Sequence, residues 1–201
     1  MMSAVTFKSY KAPAIDRCEI LRYAGVRGEE GAFSALLDEC LSEIADQCVF
    51  RVCFREFALK STENGLDLGF MQSRSNSLSR HREGCESVVL FAATIGLEID
   101  RLIFRYGKIS PSKALFLQAI GAERIEALCD LFFTDLEKEK EKEGKLLRAR
   151  FSAGYGDFSL DAQKEIFASL DCARKIGLTL NASLLMSPSK SVTALIGVAA
   201  R

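Results

Sequence analysis

The chain is 201 residues long, 48% apolar and 27% charged, and its 27 basic side chains equal its 27 acidic ones. That length can bury a sizeable core in one large domain, and the balanced charge lacks the basic surplus of a general nucleic-acid binder. There is a single His, and no apolar run approaches the roughly 18 residues of a membrane span, so neither a histidine-centred triad nor a spanning helix is expected.

The first residues carry no apolar export signal, so a cytoplasmic location is expected. The seven cysteines are odd in number, and no two form C-x-x-C. They read as reduced, small hydrophobes rather than as disulfides or metal ligands, and no metal site is nominated.

Residues 1–30 mix Pro13 with Gly25 and Gly28 and read as an N-terminal arm with a short element; residues 31–201 read as one domain. From Ala32 to Cys48, apolar residues at Phe33, Leu36, Leu37, Cys40, Leu41, Ile44 and Cys48 recur at three- and four-residue steps, which predicts an amphipathic helix. The period then becomes two. Phe50, Val52 and Phe54 alternate with Arg51, Cys53 and Arg55, and Leu66, Leu68 and Phe70 alternate beyond Asn64-Gly65, which predicts an antiparallel hairpin.

Ser73 to Arg82 is Ser-rich, either a short helix or a loop. Ser87 to Thr94 is continuously apolar, as a strand buried on both faces must be. Gly96 ends it, and Glu98 to Tyr106 reads as a helix. Ser110-Pro111 marks a helix start. That helix runs through Leu115, Ile125 and Leu136 into the alternating Glu/Lys run 137–142, read as a solvated end, and Gly144 stops it. Leu147 to Ser152 reads as a strand. Ser159 caps a helix through Leu170, a short helical piece ends at Gly177, and Ser191 to Val198 is a last strand. The expected class is α+β: a single domain with a mostly antiparallel twisted sheet, flanking helices and one long helix.

Between the long helix and the next lies Arg150-Phe151-Ser152-Ala153-Gly154-Tyr155-Gly156-Asp157-Phe158. It joins a guanidinium, two glycines, an aromatic and a carboxylate. Two readings fit: a ligand-facing loop, or a Gly-rich turn with one packed tyrosine. Ser187-Pro188-Ser189-Lys190-Ser191 reads as a turn into the last strand, or as an anion site built from Lys190 and the hydroxyls. No phosphate-cradling or dinucleotide-binding glycine motif is present.

Four segments carry a family resemblance: Arg150-x-x-x-Gly154-Tyr155; Ile176-Gly177-Leu178-Thr179-Leu180; Met186-Ser187-Pro188-Ser189-Lys190-Ser191-Val192; and Ala119-Ile120-Gly121-Ala122-Glu123-Arg124-Ile125-Glu126-Ala127. Phe91 to Glu98 adds to it. From about residue 15 onward the chain resembles the S-adenosylmethionine-binding activation domain of cobalamin-dependent methionine synthase, and more closely the stand-alone relatives of that domain. The resemblance implies that fold and a cofactor site formed by Arg150, Ser152 (through its backbone), Gly154, Tyr155 and Glu126, with no catalytic residue.

It also implies cobalamin carried by a partner, a corrinoid-binding methionine synthase lacking its own activation domain, and flavodoxin or another reductase as electron source. The chain would then be an accessory component of a methyltransferase system. Two positions depart from the family pattern: Glu123 stands where the family has an arginine, and Leu195-Ile196 where it has an aromatic pair. Those departures support a second reading, an accessory docking protein for a corrinoid protein that does not bind S-adenosylmethionine.

Overall fold

A computed structural model describes residues 4–26, 30–63 and 65–201. In chain order these form β1 (Thr6–Tyr10), α1 (Arg17–Tyr23), a 3-10 turn (Glu30–Phe33), α2 (Ser34–Ile44), β2 (Phe50–Ala58), β3 (Lys60–Thr62), β4 (Gly65–Asp67), β5 (Gln72–Ser73), α3 (Asn76–His81) and β6 (Cys85–Thr94). There follow α4 (Glu98–Ile109), α5 (Pro111–Lys142), β7 (Lys145–Leu147), a second 3-10 turn (Leu160–Ala162), α6 (Gln163–Leu170), α7 (Cys172–Ile176), β8 (Thr179–Leu180), β9 (Met186–Ser187) and β10 (Ser191–Ala200).

A five-stranded sheet in the order β1-β2-β6-β10-β7, antiparallel at every pairing, separates two apolar cores. The strand β6 is apolar from Val88 to Ala93 because it faces both. Val89, Phe91 and Ala93 enter the core closed by α1, α2, α4 and α5, while Val88, Leu90 and Ala92 enter the one closed by α3, α6, α7 and the small strands. Helix α5, 32 residues long, lies along the first core. Its Phe132 packs on Phe54 and Phe91 with ring centroids 5.1 and 5.0 Å away. Pro111 occupies its first turn as predicted, but the Ser110 hydroxyl makes no capping bond; the Ser110 carbonyl accepts from Ala114 N–H at 3.0 Å instead.

In the N-terminal segment read as an arm with a short element, β1 forms an edge of the sheet and α1 packs on α5. Its link is latched: Arg124 donates to the carbonyls of Pro13 and Ala14 at 2.7 and 2.6 Å, and Glu123 accepts from Asp16 N–H at 3.0 Å.

The two alternating runs do not pair with each other. Phe50 to Phe54 lies between β1 and β6, while β3 and β4 pair with Thr62 opposite Gly65; Asn64, half of the predicted turn, lies outside the described residues. Alternation reports which face is buried, not which strand lies alongside. The Glu/Lys run is only partly solvated, because Lys140 is 8% exposed and donates to Glu56 on β2 at 2.8 Å. Of the strand expected over 147–152, only a single bridge at Phe151 follows β7. No helix among the described residues is long and apolar enough to cross a membrane.

Candidate functional site

The Arg150–Phe158 loop departs from the outer edge of the sheet. β7 pairs with β10 only at Val198 to Ala200, and beyond it the contact thins to Arg148 N–H on the Gly197 carbonyl at 2.8 Å and a reciprocal pair between Phe151 and Leu195 at 3.0 and 2.9 Å. Arg82 spans the gap: its Nη2 donates to the carbonyls of Ala149 at 2.9 Å and Leu195 at 3.2 Å. This guanidinium is 2% exposed, and burial pushes its pKa down to about 10.

Past Phe151 the chain turns sharply. Gly154 and Gly156 have φ of +93° and +57°, backbone that side-chain-bearing residues adopt only with strain. A Cβ on Gly156 would also fall 2.5 Å from Ser77 Oγ. Asp157 then ties the loop to α3, accepting from Ser75 Oγ at 2.5 Å, Asn76 N–H at 2.8 Å and Ser77 N–H at 2.9 Å. The Ser75 hydroxyl, followed by the Ser77 and Asn76 amides, holds this carboxyl well below the usual range. At the far end of α3, the His81 ring packs tilted against Phe151 with centroids 4.4 Å apart. Ser73 to Arg82, ambiguous in the sequence, therefore contains a short helix, α3, fastened to this loop at both ends.

The loop, α5, α6, the outer edge of β10 and the β8–β9 turn enclose a cleft of about 860 Å³, within the range of small-molecule sites. Glu126, Arg150, Ser152 and Tyr155 all line it. Gly154 is not among the lining residues, and the turn requires it for its backbone angle. Tyr155 is 67% exposed at the cleft mouth, which excludes the packed-tyrosine reading.

Arg150 reaches back to α5, where Nη2 donates to Glu126 Oε2 at 3.0 Å and to Asp130 Oδ1 at 2.9 Å. Burial works against the guanidinium, but Cys129, Glu126 and Asp130 outweigh it and raise its pKa. Sequence reasoning missed Asp130, although its position four residues after Glu126 puts both carboxylates on one helix face. It also missed Gln163, Thr193 and the hairpin residues Asn181 and Leu184 to Met186, all of which line the cleft. Asn181 shapes that hairpin by accepting from Ser183 and Leu185 N–H, both at 2.9 Å.

Neither departure from the family pattern touches the cleft. Glu123 is buried and paired with Arg124 in the N-terminal latch. Leu195 and Ile196 are wholly buried and point into opposite cores. The last-strand residues that do face the cleft are Ser191 to Ala194. In the 187–191 turn the anion held is the protein's own: Asp100 accepts from Ser189 N–H and Oγ at 2.7 and 2.5 Å, while Lys190 donates to Gln118 Oε1 at 2.5 Å.

No family model matches the chain, and no curated protein matches it. Among solved structures, 13 chains match. One is a crystal structure of the MetH reactivation domain bound to AdoHcy, with a TM-score of 0.68 and 14% sequence identity over 96% of this chain and 78% of that one. At that identity the likeness is one of fold: the chain has the curled antiparallel sheet and single long helix of that domain.

Proposed function

We propose that this chain binds S-adenosylmethionine in the cleft and serves as a free-standing reactivation module for a corrinoid-dependent methionine synthase that lacks its own. The observation that carries the reading is the meeting of Arg150 and Glu126 in the cleft lining, with Asp130 as the second carboxylate on Arg150. Two carboxylates facing one guanidinium leave one net negative charge. That suits a ligand with one carboxylate and two cationic groups, an ammonium and a sulfonium. The neighbouring fold's complex with AdoHcy supports the same ligand class.

Arg150 grips the ligand carboxylate through two parallel N–H donors. Glu126, freed from Arg150, opposes the ammonium. The main chain at Ser152 approaches the ligand, and the exposed Tyr155 ring offers a stacking surface. S-adenosylmethionine supplies, when bound, a methyl group activated by its sulfonium. The chain's own work is to hold the ligand in one orientation at the cleft mouth, where a corrinoid carried by a partner can meet it. Flavodoxin or another reductase belongs to the same proposal as electron source.

One observation favours the second reading, a docking protein that does not bind the donor. Arg150 already has two carboxylate partners, as a purely structural arginine would. Arg150→Ala separates the two. Under the donor reading it abolishes support of corrinoid reactivation while complex formation with the corrinoid protein persists. Under the docking reading both are unchanged. Calorimetric silence on adding millimolar S-adenosylmethionine to the wild-type protein, with and without the corrinoid protein, retires the donor reading.

A further inference from the structure

The cleft has a second polar end. Gln163, at the start of α6, is 4% exposed, and Thr193 on β10 is 2% exposed; both line the cleft. The Thr193 hydroxyl donates to Gln163 Oε1 at 2.9 Å, which fixes the orientation of the amide and leaves its Nε2 hydrogens as donors. Among the described residues no partner for that NH2 group is recorded. The cleft lining also includes the apolar Phe151, Leu160, Leu184 and Val192.

The main chain adds to this. Leu195 gives both its N–H and its C=O to Phe151 across the outer edge of β10. In an antiparallel strand alternate residues point to the same edge, so the N–H and C=O of Thr193 face outward too. No strand among the described residues pairs with that edge between Ser191 and Ala194. One side-chain donor, one main-chain donor and one main-chain acceptor thus meet in a site without formal charge.

The Phe151–Leu195 bridge puts Arg150 beside position 196, and Thr193 lies three residues further along β10. At about 3.3 Å per residue, the charged and neutral ends are about 10 Å apart along the strand.

We infer that Gln163 and Thr193 form the base-recognition end of the cleft, taking a purine that presents an exocyclic amine and a ring-nitrogen acceptor. Gln163 donates to the ring nitrogen, and the Thr193 carbonyl accepts from the amine. This deepens the donor reading above and rests on it: Arg150 holds the amino-acid end of the ligand, and Gln163 with Thr193 selects its base.

The test is calorimetric titration of the full chain with S-adenosylmethionine, methylthioadenosine (the base end without the amino acid), S-adenosylhomocysteine and S-inosylhomocysteine. Gln163→Leu weakens S-adenosylmethionine and methylthioadenosine by about 10-fold or more. Arg150→Ala weakens S-adenosylmethionine alone. Gln163→Glu, which keeps an acceptor for the Thr193 hydroxyl, behaves as Gln163→Leu does and guards against a folding artefact. The wild-type protein prefers S-adenosylhomocysteine to its inosine counterpart by about 10-fold, because inosine replaces the amine donor with a carbonyl.

If wild type binds S-adenosylmethionine but both folded Gln163 variants bind methylthioadenosine as wild type does, base recognition by Gln163 is wrong and the donor reading stands. Equal affinity for the adenine and inosine compounds overturns it too. A wild-type protein that binds none of the four compounds overturns both.

Discussion

Arg150 and Asp157 show how two charged residues in one loop take different tasks. Arg150 lies in the cleft and faces two carboxylates; Asp157 faces away and fastens the loop to α3 through a hydroxyl and two amides. Asp157 is drawn below its ordinary pKa in the folded state, so its contribution is present above the unfolded carboxyl value near 4 and fades as the pH falls toward the folded value. Asp157→Ala should therefore lower the melting temperature at pH 7, and the gap to wild type should narrow on acidification below pH 4. A gap independent of pH would refute this role. The family resemblance named Arg150, Ser152, Gly154, Tyr155 and Glu126 together, and all of these but Gly154 line one cleft. Gln163 and Thr193 were not legible, because a polar residue opening a helix and a threonine in a strand are ordinary until folding buries them against each other.

The elements whose sequence periodicity reports burial were read well. The apolar run of β6 and the Ser110-Pro111 start of α5 stand where expected. Partnership was not readable: the second alternating run starts in β4, which pairs with β3 rather than β2. Nor was the nature of Ser73–Arg82 decidable, since the carboxylate that caps α3 comes from 82 positions away in sequence. The buried Arg82, at the far end of that helix, bridges Ala149 and Leu195 where β7 has already left β10. Arg82→Met removes both bonds. Amide exchange at Arg148 and Phe151 should then rise while the centre of β6 stays protected; unchanged exchange at those two amides would show that the loop is held by other contacts.

The cleft sits on the rim of the sheet, so its shape depends on two cores and the helix that spans one of them. Phe132 joins α5 to β2 and β6 through its contacts with Phe54 and Phe91, and it is wholly buried. Phe132→Ala should cost about 3–5 kcal/mol by transfer and cavity terms together, read as a fall in the denaturation midpoint; a loss below about 1 kcal/mol would mean that the helix does not depend on this contact. The N-terminal latch on Glu123 and Arg124 extends the same layer. Its residues 13–16 gave no periodic signal, since backbone carbonyls caught by a buried arginine leave no pattern in their own sequence.

The most direct measurement is a crystal structure of the protein soaked with S-adenosylmethionine. The Arg150 guanidinium should leave Asp130 and Glu126 and take the ligand carboxylate through two bonds, with Glu126 turned to the ammonium. Contradiction would be a cleft without ligand at saturating concentration, with Arg150 still paired to both carboxylates of α5.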